Sequence, residues 1–323
     1  MQNAESLFTY VAPRNGLVER FGSRPVALKA PAPLASRLRD YAWHVGEKVA
    51  TATLGALYVS RGGQAVRSAL GRLGPAPAPA VNSAVIAHVY YPELLPEILA
   101  CRALIPGHAD LHITTTPERA DDVRRALGRE DAAIHVAPNR GRDIAPFLAV
   151  LNSGALDPYD AVLKLHTKSS PHLLDGSLRR KLLFQTLCGE RRAVLRTLAL
   201  FADPATGMVG WGACFRATPR YWFANEARVR ALAQRMDAAD GVRPGFFEGS
   251  MFWFRPAAFQ RLRDLALAPE DFEPEAAQLD GAMHHAIERC FTLAAWASGY
   301  RVLDLSGRSL PRGRAQRDKS RLA

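Results

Sequence analysis

Residues 139–148 read NRGRDIAPFL, and residues 164–168 read KLHTK. The first stretch begins as a turn, because Pro138 and Gly141 interrupt the strand-like residues that precede it. It continues as a helix, because apolar residues recur at the i, i+3, i+4 and i+7 positions of one helical face. The second stretch ends a strand predicted from Tyr159 to Leu165. Both stretches therefore place polar side chains where strands end, at the edge where open α/β sheets bind ligands.

Five charged or titratable side chains are expected to converge on this edge, namely Arg140, Arg142, Asp143, His166 and Lys168. Such a group favours an anionic ligand, because arginine and lysine make strong charge-assisted hydrogen bonds to phosphate. The alternative is a solvated basic loop. Asp143 also has two interpretations: it can cap the helix that follows, the role that we favour, or it can orient Arg140 or a ligand hydroxyl.

Residues 81–306 alternate strand-like and helix-like patterns. Strands are predicted at 84–90, 111–115, 132–137, 159–165, 207–215, 249–254 and 301–305. Helices are predicted at 93–104, 117–127, from 143, at 219–236 and at 278–298, and one helix or a helix pair at 176–202. The last helix is expected to be one long element that ends at Gly299. Repeated β-α units of this length predict an α/β fold with a doubly wound, mostly parallel sheet.

Four motifs in this order resemble the rhamnan synthesis F family of bacterial polysaccharide glycosyltransferases. They are NRGRDIAPFL at 139–148, KLHTKSS at 164–170, FEGSMFWFRPAAF at 247–259 and QLDGAMHHAIER at 278–289. The resemblance covers roughly residues 84–305 and implies a GT-A-like domain that binds a nucleotide sugar. It also implies inverting transfer of a deoxyhexose, foremost L-rhamnose from dTDP-rhamnose, onto a cell-surface glycan or a lipid-linked oligosaccharide.

The resemblance also indicates where the donor would bind. Many GT-A enzymes hold the diphosphate with an Asp-x-Asp motif and a divalent cation after the fourth strand. The matching place here reads His166-Thr167-Lys168, so we expect Arg140, Arg142, His166 and Lys168 to neutralise the diphosphate without a metal or another cofactor. The pocket for the donor sugar and nucleotide is expected to include His88, Tyr90, Thr115, Asn139, Gly141, Asp143 and Gly249.

Two carboxylates are candidates for the catalytic base that an inverting transfer requires. In family-two GT-A enzymes this carboxylate comes late in the chain at a helix start, and Asp280 occupies the similar place. Helix capping explains Asp280 equally well. Glu248 is the alternative base or an acceptor-binding residue, because Gly249 beside it would let a sugar ring approach the backbone.

The net charge of +11 is concentrated at the two ends of the chain. The predicted boundaries are a basic helical N-terminal region with a Pro/Ala linker at 1–80, the main domain at 81–306 and a basic disordered tail at 307–323. A neutral middle argues against nucleic acid as a partner. Basic ends suit the anionic inner face of a bacterial membrane. The alternatives are solvated ends and N-terminal helices that pack on the domain.

The remaining sequence features narrow the class of protein. Four scattered cysteines (Cys101, Cys188, Cys214 and Cys290) without a CxxC motif predict reduced thiols and a cytoplasmic location. No signal peptide pattern opens the chain. No GxGxxG, Walker, G-x-S-x-G or HExxH motif is present, which argues against Rossmann oxidoreductases, NTPases, esterases and zinc peptidases.

A non-catalytic scaffold that binds nucleotide or glycan during polysaccharide assembly remains the main rival hypothesis, and a nucleic-acid-binding protein is a second one.

Overall fold

The computed structural model describes residues 53, 55–60, 62–63, 65–66, 80–167, 176–217, 219–238, 245–276 and 280–310. Most of the predicted N-terminal region and linker, and most of the predicted C-terminal tail, lie outside these residues. Lys168, predicted to contact the diphosphate, also lies outside them.

The described residues form a seven-stranded sheet and a separate two-stranded one. The strands are β1 (Ser83–His88), β2 (Asp110–Thr115), β3 (Ala133–Val136), β4 (Ala161–His166), β5 (Thr206–Gly210), β6 (Phe215–Arg216), β7 (Phe246–Phe247), β8 (Phe252–Phe254) and β9 (Arg301–Asp304). The large sheet has the order β3-β2-β1-β4-β8-β5-β9, and β6 pairs with β7. Only β8 runs antiparallel within the large sheet, against β4 and β5. The predicted α/β class with a mostly parallel sheet is confirmed.

The helices are α1 (Leu95–Ala103), α2 (Ala120–Leu127), α3 (Ile144–Asn152), α4 (Gly176–Cys188), α5 (Arg191–Phe201), α6 (Glu226–Arg235), α7 (Gln260–Arg263), α8 (Met283–Glu288) and α9 (Phe291–Ala297). The single helix predicted at 278–298 is wrong, because α8 and α9 divide at Arg289 and Cys290. There the amides bond to carbonyls three residues back, and the Arg289 guanidinium donates to the Tyr221 carbonyl 2.9 Å away. Gly299 ends α9 with a φ of +83°, as predicted.

The order of the strands reverses between β1 and β4. From β1 the chain adds β2 and β3 on one side, and it then returns to place β4 on the other side of β1. His88 and His166, the last residues of β1 and β4, are directly paired in register. In open α/β sheets, ligands bind outside the carboxyl ends of the strands at such a reversal. The fold thus brings two histidines to the place where a ligand is expected.

Two apolar clusters cover the two faces of the sheet. One contains Phe147 of α3 with Phe252, Phe254 and Phe291, and the other contains Trp253 of β8 with residues of α1, α4 and α5. Trp253 is fully buried, and its indole N–H donates to the Leu187 carbonyl at 3.1 Å. Because side chains alternate along a strand, Lys164 shares the first face with Val162 and lies over the Phe147 ring.

Cys101 of α1 and Cys188 of α4 form a disulfide, whereas Cys214 and Cys290 are free and buried. The prediction of reduced thiols is therefore wrong for the first pair. The packing of α1 on α4 brings these cysteines together although 87 residues separate them, a proximity that spacing alone did not indicate. The cytoplasmic location inferred from reduced thiols loses this support. No helix within the described ranges is long and apolar enough to cross a membrane.

Candidate functional site

A buried lysine lies at the centre of the candidate site. The Lys164 side chain is 2% exposed, and its Nζ lies 2.6 Å from Asp143 Oδ2. The same ammonium donates to the carbonyl oxygen of Ser250 at 3.0 Å and to its hydroxyl at 2.9 Å. Three acceptors therefore match the three N–H donors, which is the condition under which a buried charge is tolerated. This contact joins β4 to the segment that precedes β8.

Asp143 pairs with the lysine instead of capping α3. It stands immediately before the helix but makes no capping hydrogen bond. The first amides of α3 bond instead to the Gly141 carbonyl, at 2.9 Å from Ile144 and 3.3 Å from Ala145. The favoured prediction that Asp143 is a cap is thus wrong, because the buried ammonium attracts its carboxylate more strongly than the helix start does. The alternative prediction had Asp143 orient Arg140 or a ligand hydroxyl. Arg140 instead donates to the Phe272 carbonyl, and the role toward a ligand hydroxyl stays a prediction.

The carboxylate of Asp143 is held in its ionised form. Burial alone would raise its pKa, but the charges of His166 and Lys164, and the hydrogen bonds from both, hold the pKa well below its usual range. His166 Nδ1 lies 3.4 Å from the oxygen that Lys164 contacts. Asp143, Lys164 and His166 thus form one buried charged group at the carboxyl end of β4.

His88 adds a neutral imidazole to this group. Its Nδ1 lies 3.0 Å from the hydroxyl of Thr114, on the neighbouring strand β2. Burial lowers the pKa of His88 to about 4; the charges of His166 and Lys164 act in the same direction, and that of Asp143 opposes them. At neutral pH the His88 ring is therefore uncharged and can both donate and accept a hydrogen bond.

The loop before α3 holds the predicted arginines against protein acceptors. Arg142 contacts both carboxylate oxygens of Glu275, at 3.0 and 3.3 Å, and Arg140 donates to the Phe272 carbonyl at 3.0 Å. The Asn139 amide donates to Glu118 at 2.9 Å. Gly141 has a φ of +64°, a conformation that L side chains rarely adopt. Arg142 remains 40% exposed, so a ligand can reach it at the rim.

Three further residues that were predicted to line the donor pocket make hydrogen bonds to other parts of the chain. The backbone amide of Tyr90 donates to the Thr167 hydroxyl at 3.0 Å, and the Tyr90 ring lies under Arg119. Thr115 is fully buried and donates to the Val89 carbonyl at 2.7 Å, a contact that holds β2 beside β1. Gly249 has a φ of +95°, and its amide donates to Glu288 at 2.8 Å.

Glu248 forms ion pairs with two arginines. Its oxygens lie 2.7 Å from Arg216 and 3.0 Å from Arg179. Burial would raise the pKa of Glu248, but these two guanidinium groups outweigh it and lower the pKa. A carboxylate that is stabilised in this way is a weaker proton acceptor.

Asp280 does not cap α8, the helix that follows it. Its Oδ1 accepts from the Asn225 amide at 2.6 Å, and its Oδ2 accepts from the Ala224 backbone at 2.9 Å. Helix α8 begins three residues later, at Met283, with Ala282 as the preceding residue. The alternative of Asp280 as a helix cap is therefore wrong. Its side chain instead joins the segment before α6 to the segment before α8.

Four buried polar residues of this region were not among the predicted site residues, namely Lys164, Ser250, Thr114 and His284. Strand alternation could have indicated Lys164, since it lies two residues before His166 on the same face. Ser250 and Thr114 carry no signal, because their partners are distant in sequence. His284 is 5% exposed, and among the described residues neither ring nitrogen has a hydrogen-bond partner. Within the same ranges, no group of three or more His, Cys, Asp or Glu residues is arranged to hold a metal ion.

The family model described as Rhamnan synthesis protein F matches residues 75–300. The chain is also similar to the "Uncharacterized protein WxcX" from two strains of Xanthomonas campestris pv. campestris, with 34% identity over 225 residues. The aligned region covers 68% of this chain and 32% of each relative, so the chain spans about a third of the length of these proteins.

Proposed function

This chain belongs to the rhamnan synthesis protein F family, and from that premise we propose that it is a glycosyltransferase acting in polysaccharide synthesis. The proposed reaction moves a deoxyhexose, L-rhamnose from dTDP-rhamnose, onto a bacterial cell-surface polysaccharide with inversion. The observation that carries the proposal is the buried Asp143–Lys164–His166 group, which lies where the strand order reverses between β1 and β4. Ligands bind at that position in open α/β sheets.

The cations near this group are suited to a leaving diphosphate. Arg142 is partly exposed, and its present partner, Glu275, holds it by two contacts. A diphosphate offers the same bidentate geometry with more charge, so it competes for this guanidinium. His166 and Arg140 complete the proposed site with Lys168, which lies outside the described residues. Because Lys164 is already paired with Asp143, its role is to orient the carboxylate and not to bind the donor.

The acceptor hydroxyl attacks the anomeric carbon from the side opposite the departing diphosphate, and a carboxylate takes its proton. We propose Asp280 for this role. Its hydrogen-bond donors are the amides of Asn225 and Ala224, and the Arg289 guanidinium lies 3.9 Å from its Oδ1, whereas two guanidinium groups hold Glu248 at 2.7 and 3.0 Å. Asp280 therefore has the weaker contact with positive charge, which leaves its carboxylate more available to an acceptor hydroxyl.

The transfer is proposed to need no divalent metal. The position of the Asp-x-Asp motif carries His166 and Lys168, and the nearest carboxylate, Asp143, is already bound to the Lys164 ammonium. Hard cations such as Mg²⁺ and Mn²⁺ prefer carboxylate oxygens. A carboxylate that is already paired with an ammonium group binds such a cation weakly.

We also propose a peripheral location at the inner face of the bacterial membrane, through the basic ends of the chain. Each Lys or Arg near an anionic surface contributes about 1 kcal/mol. Within the N-terminal region, Gly55 lies against the domain, since a side chain there would meet Leu182 of α4. Flotation of the full chain and of a 81–306 fragment with anionic vesicles tests the location. Equal flotation of the two proteins would contradict it.

A non-catalytic scaffold that binds a nucleotide sugar or glycan is the second candidate. It is favoured by one observation: both candidate bases, Asp280 and Glu248, have oxygens already engaged by protein donors. The two candidates predict the same ligand but differ in turnover.

Calorimetric titration with a panel of nucleotide sugars tests the proposal, combined with an assay for released dTDP. We expect dTDP-rhamnose to bind and UDP and GDP sugars not to bind. Release of dTDP that depends on a glycan acceptor would support the transferase, and binding without release would support the scaffold. No binding by any member of the panel would contradict both candidates.

A further inference from the structure

His284 of α8 is a buried polar side chain without a partner among the described residues. Its exposed fraction is 5%, and both ring nitrogens lack a hydrogen bond. Buried polar groups in native proteins are rarely left in this state, and such groups occur where a ligand supplies the missing partner. The mechanism proposed above makes no use of this ring.

The position of His284 relates it to the donor side of the site. Helix α8, which carries His284, packs against α3, the helix that Arg142 and Asp143 precede, and the charges of both residues act on the ring. Arg142 belongs to the loop before α3, and Asp143 belongs to the buried group with Lys164. The adjacent ring of His285 lies 4.1 Å from it, centroid to centroid, and accepts a hydrogen bond from the Ala282 amide at 3.3 Å. The two neighbouring histidines therefore have different roles, and only His285 is engaged within its own helix.

The protonation state of His284 limits what it can bind. Burial and the positive charge of Arg142 together lower its pKa to about 4, because the carboxylates of Asp143, Glu275 and Glu273 only partly oppose them. A neutral imidazole has one donor and one acceptor. That pair matches a hydroxyl group, which also donates and accepts, whereas a diphosphate requires donors alone. The chemistry of the ring therefore indicates a sugar and not a phosphate.

We infer that His284 recognises a hydroxyl of the donor sugar and so distinguishes the nucleotide sugar from the bare nucleotide. This inference rests on the proposed function, since it assigns a subsite within the same donor pocket. The donor pocket would then have two parts, one for the diphosphate and one for the sugar. Arg140, Arg142 and His166 would contact the diphosphate, and His284 would contact the ring that is transferred.

The test compares affinities for dTDP and dTDP-L-rhamnose in the full chain, measured by calorimetry. His284→Leu removes both hydrogen-bonding nitrogens and keeps a similar volume. We expect its affinity for dTDP-L-rhamnose to fall about tenfold, as the loss of one buried hydrogen bond predicts, while its affinity for dTDP stays within about twofold of the wild type. His284→Gln should recover part of the loss, because the amide also donates and accepts. His285→Leu is the matched control and should change neither affinity.

Each outcome has a distinct meaning. An equal loss of both affinities in His284→Leu and in His284→Gln would overturn the inference, since it would show a general effect on the pocket. Unchanged affinities in both variants would also overturn it, because the ring would then be a packing residue only. Failure of the wild type to bind any nucleotide sugar would overturn the proposed function together with this inference. Should His284→Leu not fold, the ratio of the two affinities in His284→Gln decides the question.

Discussion

Lys164 and Asp143 form a buried ion pair, with Nζ 2.6 Å from Oδ2 and the lysine side chain 2% exposed. Removal of one partner from such a pair leaves an uncompensated charge. Lys164→Met should therefore lower the free energy of unfolding by about 3–5 kcal/mol. The double variant Lys164→Met/Asp143→Asn removes both charges and should recover part of this loss. Urea unfolding of the wild type and the two variants measures the effect, and a single-variant cost below about 1 kcal/mol would contradict a buried pair.

Lowering the pH should destabilise the protein already at pH values above those at which its carboxylates take up protons. His88 and His284 each have a folded-state pKa of about 4, below the ordinary value of 6.5. Between these values the unfolded chain binds protons that the folded chain does not, so stability falls as the pH falls. Each histidine contributes a slope of up to about 1.4 kcal/mol per pH unit. Unfolding free energies from pH 7 to pH 4 test this, and His88→Gln should remove one of the two contributions.

The Asp143 carboxylate should also make the free energy of unfolding fall as the pH falls, but at lower pH than the histidines do. Because its folded-state pKa lies below its unfolded value, its contribution is complete above the unfolded pKa and is lost as the pH falls through the folded pKa. This loss begins below about pH 4, where a model aspartate titrates. Asp143→Asn should therefore flatten the acid end of the profile. An unchanged profile below that pH would show that the carboxylate is not stabilised by Lys164.

Gly141 should tolerate no side chain. Its φ is +64°, and an added Cβ would lie 2.6 Å from Phe272 and 2.7 Å from Ala145. The left-handed backbone costs a residue with a Cβ roughly 1–2 kcal/mol, and overpacking adds about 1–3 kcal/mol. Gly107→Ala is the matched control, because Gly107 also has a positive φ of +75° but nothing within 4 Å of the added atom. Thermal unfolding should show a larger loss for Gly141→Ala, and equal losses would contradict the clash.

Sequence patterns predicted those parts of the structure that depend on local order. The β-α alternation follows from apolar periodicity, and the sheet confirms it. The first and fourth strands were predicted to end at Tyr90 and Leu165, and they end within two residues of these positions, at His88 and His166. The contacts that the sequence did not predict join residues that are far apart in the chain. Lys164 donates a hydrogen bond to Ser250, 86 residues away, and Cys101 forms a disulfide with Cys188, 87 residues away.

The capping prediction for Asp143 was wrong for a similar reason. A local rule assigned the carboxylate to the helix start, whereas a buried charge brought by another strand outweighs that preference. The predicted single helix at 278–298 was also wrong, although no glycine or proline marks its division. The break occurs where Arg289 bonds to Tyr221, a residue of a different segment. Tertiary contacts override local preference in both cases.

Under the proposed function, Asp280→Asn should lower turnover by about 10²–10⁴-fold, which is the usual contribution of a general base. Donor binding should remain nearly unchanged, because the amide oxygen can still accept from Asn225 or Ala224. Glu248→Gln is the comparison, since it weakens the pairs with Arg179 and Arg216. Calorimetry with dTDP-rhamnose and an assay for released dTDP separate binding from chemistry. Wild-type turnover in Asp280→Asn together with its loss in Glu248→Gln would assign the base to Glu248.

Donor binding and transfer should survive an excess of EDTA. The position of the Asp-x-Asp motif carries His166 and Lys168, and a lysine there would repel a dication. Lys168→Ala should instead weaken donor binding or lower the rate by roughly 1.5–3 kcal/mol, the value of a hydrogen bond to a charged group. Lys181→Ala, on the exposed side of α4, is the matched control and should have no effect. Turnover that stops on chelation and returns with Mn²⁺ would refute this account. It would indicate a metal held by Asp143 with Asp280 or Glu248, which requires Asp143 to exchange Lys164 for the cation.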